Sequence, residues 1–168
     1  MPNVNIIPLQ DSHSTAIVDL ILSIQQIEFG LSLTINDQPD LLNIENFYKL
    51  TGGEFWGAFY EGKLIGTIGL IKIANKVGVI RKMFVAKAFR GGELGVAQLL
   101  LNTLISYCKE NNITSLYLGT QEVLQAAARF YIKNNFDRID KGQLPVGFPL
   151  MPVDNAFYTL QIVKNQKV

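Results

Sequence analysis

Short apolar runs separated by polar residues predict one strand and then two helices in the first third of the chain. After Ser12 the apolar positions recur every three or four residues, which is the spacing of an amphipathic helix, and Asp11 or Ser12 can cap its N-terminus. The stretch that follows shows no clear period, so we expect a loop there. The predicted elements are a strand at 4–9, a helix ending at Ile27, a loop at 28–40 and a helix at 41–50.

The middle of the chain changes to a pattern that is typical of strands. Residues 54–60 and 64–73 are rich in aromatic and β-branched side chains, and the turn sequence Glu61-Gly62-Lys63 separates them, which predicts a hairpin. A third strand is predicted at 78–85, after a second polar turn. Three consecutive strands with short connections predict an antiparallel meander.

Helical spacing returns after residue 93 and then alternates with short strands. The period of the apolar positions predicts a long amphipathic helix at 94–112. Three prolines between residues 142 and 154 forbid a regular central strand, so this segment is predicted to be a loop. The remaining predicted elements are a strand at 115–119, a helix at 123–134 and strands at 136–139 and 156–163. The order β-α-α-β-β-β-α-β-α-β-β predicts an α+β fold with a mixed sheet, in a single domain over residues 1–168.

The composition excludes several kinds of chemistry. The 168 residues are 48% hydrophobic and 17% charged, as in a globular domain, and the net charge of +1 argues against a general nucleic-acid binder. Cys108 is the only cysteine and His13 the only histidine, which excludes disulfides, thiolate-built metal sites and most Ser-His-Asp or Cys-His schemes. We therefore expect no metal. His13 is predicted to lie at a helix entry.

The apolar runs also bear on the compartment. They are short and interrupted by glycine, lysine or glutamine, so no membrane span is predicted. The first residues, Met1-Pro2-Asn3, lack a basic region followed by an apolar one, so no secretory leader is predicted. We expect a cytoplasmic protein without a membrane partner.

The most informative segment is a glycine-rich turn between the third strand of the meander and the long helix. The first turn of a helix has backbone N–H groups without internal partners and carries the positive end of the helix dipole, so it can hold a phosphate. Gly91, Gly92 and Gly95 leave room for the approach, and Arg90 adds a charge able to form a forked pair with a phosphate. An ordinary strand-to-helix connection is the alternative. The spacing fits neither a Walker A loop nor the dinucleotide fingerprint.

This segment resembles the cofactor motif of the GNAT superfamily of N-acetyltransferases. The usual form of that motif is Arg-Gly-x-Gly-x-Gly, and Glu93 here replaces its middle glycine. The matching residues are Arg90, Gly91, Gly92, Leu94 and Gly95. The order of the predicted strands and helices is also the family's order, so the resemblance covers nearly the whole chain.

The resemblance implies a GNAT-like acyl-CoA N-acyltransferase fold, with a mostly antiparallel central sheet flanked by helices, and acetyl-CoA as co-substrate. It implies that Met83 and Val85 pair through their backbone with the pantetheine arm, as an added strand would. A backbone amide near Phe84 is expected to stabilise the negative charge that develops on the acyl oxygen. The implied cofactor-binding residues are Met83, Phe84, Val85, Arg90, Gly91, Gly92, Glu93, Leu94, Gly95 and Val96.

A second segment of similarity is Ala-Ala-Arg-Phe-Tyr-Ile-Lys-Asn-Asn-Phe at 127–136. It looks like the family's Ala-x-x-Phe-Tyr-x-Lys-x-Gly-Phe, with Asn135 for the glycine and Leu124 where the family often has asparagine. Asparagine tolerates a left-handed backbone, so the helix end survives the change. The resemblance makes Tyr131 the catalytic general acid, because a phenol with an ordinary pKa of about 10 stays protonated and can serve the leaving thiolate. Core packing is the alternative for Tyr131.

The attacking amine must also lose a proton. Glu54 and Asp154 are the candidate bases, and an ordered water is the alternative, so the base stays open. The irregular segments 28–40 and 142–154 are expected to shape the acceptor pocket. The expected acceptor is an amine of a small molecule or a peptide, and the resemblance leaves a homodimer open.

Two hypotheses follow for the function. The first is an acetyl-CoA-dependent N-acetyltransferase with Tyr131 as the acid. The second is a catalytically silent CoA-binding sensor or interaction module of the same fold. Tyr131 and Arg90 favour the enzyme, whereas Glu93 and the undetermined base leave the second hypothesis open.

Overall fold

The computed structural model describes residues 3–162, and these residues form two compact units. The first unit comprises the chain up to Ile71 together with Arg81–Tyr107, and the second comprises Lys72–Ile80 and the chain from Cys108 onward. Within residues 3–162, no helix is long and apolar enough to cross a membrane. The expectation of one catalytic domain over residues 1–168 stays a prediction.

Seven strands of the described chain form one sheet in the order β1-β2-β3-β4-β5-β7-β6. Four neighbouring pairs, β1 with β2, β2 with β3, β5 with β7 and β6 with β7, are antiparallel, and β4 with β5 is parallel. The strands are β1 Val4–Pro8, β2 Glu54–Tyr60, β3 Lys63–Ala74, β4 Val77–Val85, β5 Ser115–Thr120, β6 Asp137–Ile139 and β7 Ala156–Gln161. The predicted mixed, mostly antiparallel sheet is therefore confirmed, while Val163, the predicted end of the last strand, lies outside the described residues.

Three α-helices flank these strands: α1 Ser14–Leu22, α2 Val96–Glu110 and α3 Gln125–Lys133. The sequence placed one regular helix up to Ile27, but α1 ends at Leu22 and continues as a wider π-helical segment, Ser23–Glu28. The prediction of one regular helix at 41–50 was also wrong. In the structure, a 3₁₀ turn at Pro39–Leu42 and a π-helical segment at Glu45–Lys49 replace it. Apolar spacing does not distinguish these helices, since all of them turn an apolar side toward the core every three to five residues.

The first unit has an apolar core built around two aromatic rings. The rings of Tyr48 and Phe55 meet edge to face with centroids 4.8 Å apart, and both residues are fully buried. Gly69 makes room for this pair, because a Cβ there would lie 2.8 Å from the Tyr48 ring and 2.9 Å from the Phe55 ring. The buried cluster is Leu9, Ile17, Ile21, Leu41, Ile44, Tyr48, Phe55 and Leu64.

The second unit packs α3 through aromatic contacts. The ring of Tyr131 lies 5.4 Å from that of Phe136 and 5.7 Å from that of Tyr158, measured between centroids. Asn135 takes a left-handed φ of 70° just after α3. This confirms the prediction that asparagine can end the helix where the related sequences have glycine.

Candidate active site

The glycine-rich turn lies between the end of β4 and the start of α2 in the first unit. Gly91, Gly92 and Gly95 have left-handed φ angles of 67°, 71° and 57°, and a Cβ added at any of them would meet nothing within 4 Å. These glycines are needed for the backbone conformation, and the space beside each of them is open. The N–H of Leu99 donates to the carbonyl of Gly95 at 3.0 Å, so the helix begins directly after this turn.

This turn fits an anionic group. The first N–H groups of a helix have no acceptor within the helix, and they point outward at the positive end of its dipole. The side chain of Glu93 is exposed to solvent, so its carboxylate does not fill the turn. The predicted phosphate-binding residues from Gly91 to Val96 thus lie in one turn at a helix N-terminus, and the space beside its three glycines is open.

Arg90 is held by groups of the first unit itself. Its guanidinium makes a two-pronged pair with the carboxylate of Glu28, with Nη2 donating to Oε1 at 2.6 Å and Nη1 donating to Oε2. The Nε–H donates to the carbonyl of Val85 at 2.7 Å, and the guanidinium lies 5.8 Å from the centre of the Phe29 ring. The sequence led us to expect this fork to face a phosphate, whereas in the structure it faces Glu28. Arg90 therefore ties the turn to the end of β4 and to Glu28.

The same contact changes the acidity of Glu28. Hydrogen bonds from Arg90 hold the pKa of the Glu28 carboxyl below its ordinary value of 4.5, against a smaller opposing effect of burial. Spacing along the chain did not reveal this partner, because 62 residues separate Glu28 from Arg90.

The strand before the turn carries an irregularity that the sequence did not reveal. Lys82 has a left-handed φ of 54°, which is unusual for a residue with a side chain in the middle of a strand and costs about 1–3 kcal/mol. It directly precedes Met83, Phe84 and Val85, the predicted pantetheine-binding residues. The only hint in the sequence is the adjacent pair of basic residues Arg81 and Lys82, which interrupts an otherwise apolar strand.

Tyr131 lies in the second unit and is almost completely buried, with 7% of its surface exposed. Burial raises the pKa of its phenol well above the ordinary value, and the neighbouring Tyr158 and Asp154 raise it further. The hydroxyl is therefore protonated over the whole physiological range. Tyr131 is both a core residue of this unit and a group whose proton is retained, so the two interpretations offered by the sequence do not exclude each other.

The two candidate bases differ in their surroundings. The Glu54 carboxylate accepts the N–H of Phe55 at 2.9 Å and lies 3.4 Å from the Lys49 ammonium, in the first unit. Asp154 lies in the same unit as Tyr131, and its Oδ2 comes within 2.7 Å of the position that a Cβ on Gly119 would occupy. Within the second unit, Asp154 lies close enough to the predicted acid for its charge to raise the pKa of Tyr131.

The histidine has a structural role. The Nδ1 of His13 accepts the N–H of Gln10 at 2.9 Å in the turn that leads into α1, as predicted for a helix entry.

Within residues 3–162, no group of three or more histidine, cysteine or acidic residues is arranged to hold a metal.

The chain is similar to acetyltransferases in both sequence and structure. The model of the family described as "Acetyltransferase (GNAT) family" matches residues 19–136. An N-acetylaspartate synthetase from Danio rerio is 31% identical over 127 residues, which are 73% of this chain but only 44% of that protein. The chain thus spans less than half the length of this relative.

Solved structures match over nearly the full length. A GNAT-family acetyltransferase from Staphylococcus aureus Mu50 is 42% identical, with a TM-score of 0.91 over 95% of this chain and 99% of that one. The protein YncA from Salmonella typhimurium, solved with its cofactor acetyl-CoA, has a TM-score of 0.72 over 99% of this chain and 98% of that one. At 17% identity, the second likeness is one of fold alone.

The ion pair between Glu28 and Arg90 should make a pH-dependent contribution to stability. A carboxyl whose pKa is lowered by folding stabilises the folded state above its ordinary pKa, here 4.5, and that contribution is lost as the pH falls through the folded-state value. Because both side chains are partly exposed, we expect Glu28→Gln to lower the free energy of unfolding at pH 7 by no more than about 1 kcal/mol.

Urea denaturation of the wild type and of Glu28→Gln at several pH values measures this contribution. The difference in the free energy of unfolding between the wild type and Glu28→Gln should be constant above pH 6 and should shrink steadily below about pH 4.5. Glu45→Gln provides a control, since Glu45 is an exposed glutamate in the same unit. A difference that persists unchanged at pH 3 would contradict the assignment.

Proposed function

Because the chain belongs to the acetyltransferase (GNAT) family, we propose that it transfers an acetyl group from acetyl-CoA to a primary amine of a small molecule or peptide. The observation that carries the proposal is the turn of left-handed glycines, open on its outer side, at the N-terminus of α2. In a chain of this family, such a turn supplies the anion site that a phosphorylated acyl carrier requires.

The turn and the strand before it have separate parts in cofactor binding. We assign the pyrophosphate to the backbone amides of Gly91, Gly92, Glu93, Leu94, Gly95 and Val96. Met83, Phe84 and Val85 offer their backbone to the pantetheine arm as a neighbouring strand. Arg90 stabilises this site, since its contacts with Val85 and Glu28 fix the position of the turn.

The reaction forms a bond between the amine nitrogen and the acyl carbon and breaks the bond between that carbon and sulfur. The amine loses one proton, and the departing thiolate gains one. The N–H of Phe84 is assigned to the acyl oxygen, where negative charge develops. Tyr131, which retains its proton, is assigned as the donor to the thiolate.

The charge of Asp154 affects the pKa of Tyr131, the proposed acid. The negative charge of Asp154 contributes to the raised pKa of Tyr131. If Asp154 takes up the proton that the amine releases, its contribution to the raised pKa of Tyr131 disappears, while the larger contribution of burial remains. Uptake of a proton by Asp154 then favours release of the proton of Tyr131. The surroundings of Asp154 favour it over Glu54 as the base, and an ordered water stays as the alternative.

The second candidate function is a CoA-binding sensor or interaction module without catalysis. Glu93, which replaces a glycine of the usual motif, is the feature that favours it. The two functions differ in one measurable property, the release of CoA thiol that depends on an amine.

We expect amine-dependent thiol release from acetyl-CoA when the protein is screened over amino acids, polyamines, aminoglycosides and peptide N-termini. L-Aspartate belongs in the screen because one relative is an N-acetylaspartate synthetase. Mass spectrometry of the acceptor should show a gain of one acetyl group. If acetyl-CoA raises the melting temperature but no amine in the panel is acetylated, the sensor hypothesis is favoured and the enzyme hypothesis fails.

Tyr131→Phe should lower kcat by roughly 100-fold, the usual range for loss of a general acid, and should change the dissociation constant of acetyl-CoA by less than about twofold. Because the pKa of Tyr131 is raised, its ionisation should cause no loss of wild-type rate up to pH 10. Tyr117→Phe, on β5 of the same unit, is the matched control and should keep full activity. A Tyr131→Phe enzyme with the wild-type kcat would remove the acid role.

Arg90→Ala should weaken acetyl-CoA binding about tenfold, because the turn loses its anchors on Val85 and Glu28. Glu28→Gln should weaken binding less, since an amide oxygen can still accept from the guanidinium. Isothermal titration calorimetry with acetyl-CoA measures both effects. Equal affinity of Arg90→Ala and the wild type would show that Arg90 has no part in cofactor binding.

A further inference from the structure

The left-handed residue in β4 is held at two points. The carbonyl oxygen of Lys82 accepts a hydrogen bond from the hydroxyl of Thr67 at 2.7 Å, and Thr67 is fully buried on β3. The ammonium of Lys82 donates to Oε1 of Gln38 at 2.6 Å. One anchor therefore acts on the main chain and the other on the end of the side chain. Residues with unfavourable backbone angles persist only where the surrounding structure holds them in this way.

The side-chain anchor belongs to a buried polar cluster. Gln38 exchanges two hydrogen bonds with the amide of Gln25, at 3.1 Å and 2.8 Å. Asp40 lies with its Oδ2 3.9 Å from the Lys82 ammonium and accepts the hydroxyl of Tyr48 at 2.5 Å. The side chains of Lys82 and Asp40 are only 6% and 5% exposed. We call Gln25, Gln38, Asp40, Tyr48 and Lys82 the lysine cluster.

The lysine cluster contains no buried polar side-chain atom without a hydrogen-bond partner. Within residues 3–162, no buried side-chain nitrogen or oxygen lacks a hydrogen-bond partner. Burial raises the pKa of Tyr48 well above its ordinary value, so its hydroxyl stays a donor to Asp40. A polar cluster with all its partners present specifies one arrangement of the segments that contribute to it. We therefore interpret this cluster as a device for positioning and not as a ligand site.

We propose that Lys82 is a positioning residue for acetyl-CoA, and that the lysine cluster fixes the left-handed turn in β4 and so aims the backbone of the next three residues. A local irregularity in a strand redirects the residues that follow it. Those residues are Met83, Phe84 and Val85, to which the proposed function assigns the pantetheine arm. The inference rests on that proposed function.

The two parts of acetyl-CoA allow a direct test. Adenosine 3′,5′-bisphosphate lacks the pantetheine arm and keeps one of the two pyrophosphate phosphates, so its affinity should not depend on the backbone of β4. Lys82→Met removes the ammonium and keeps an unbranched chain of similar length. We expect this variant to raise the dissociation constant of acetyl-CoA at least tenfold and that of the bisphosphate less than twofold. Calorimetry measures the first ligand directly and the second by displacement.

Several variants keep the test independent of stability. Tyr107→Phe loses a hydrogen bond to the carbonyl of Gly52 in the same unit, and should leave the affinity for both ligands unchanged. If Lys82→Met does not fold, the double variant Lys82→Met with Asp40→Asn removes both charges and should show the same selective loss. Thr67→Val should weaken acetyl-CoA selectively, and Thr67→Ser should restore the affinity.

The outcomes separate the inference from the function on which it rests. Selective loss of acetyl-CoA affinity in the Lys82 and Thr67→Val variants supports the positioning role. Wild-type affinity for acetyl-CoA in folded Lys82 variants, or equal weakening of both ligands, overturns it. A wild-type protein that binds no acetyl-CoA would contradict the proposed function instead.

Discussion

The close approach of β4 and of two side chains of α2 to Gly66 on β3 is the constraint on which the candidate cofactor site depends. A Cβ at this position of β3 would lie 3.0 Å from the carbonyl oxygen of Phe84, 3.1 Å from the side chain of Leu100 and 3.3 Å from that of Val96. Such distances leave little room for a side chain. Because Gly66 has no side chain, β4 and the first turns of α2 can pack against β3. This packing fixes the positions of β4, the glycine-rich turn and the N-terminus of α2.

In the second unit, Tyr131 is both a core residue and the residue to which the proposed function assigns the acid role. Tyr131 packs against Phe136 and Tyr158, and the burial that makes it part of the core is also the largest cause of its raised pKa. A buried phenol keeps its proton but releases it reluctantly, because desolvation penalises the phenolate. The catalytic role proposed for Tyr131 must therefore overcome the effect of burial, to which the charge of Asp154 adds a smaller part.

The sequence predicted those features that depend on neighbouring residues. Runs rich in aromatic and β-branched side chains predicted the strands, and Gly91, Gly92 and Gly95 predicted a glycine-rich turn before the long helix, where the structure gives all three a left-handed φ. The sequence did not reveal the partners of Arg90 and Lys82, because these contacts join residues 62 and 44 positions apart. It also predicted regular helices at 12–27 and 41–50, since side-chain spacing does not report whether the backbone bonds follow the α or the π pattern.

Arg90 and Lys82, the two basic residues discussed beside the candidate cofactor site, bind groups of the protein itself, in a chain whose net charge is only +1. Arg90 is paired with Glu28, and Lys82 is bonded to Gln38 near Asp40, so both cations are largely balanced within the first unit. In the proposed site the attraction for phosphate comes from oriented backbone amides at the start of α2, and its strength depends on geometry more than on net charge. On this view the basic side chains hold the backbone in place, and the backbone binds the ligand.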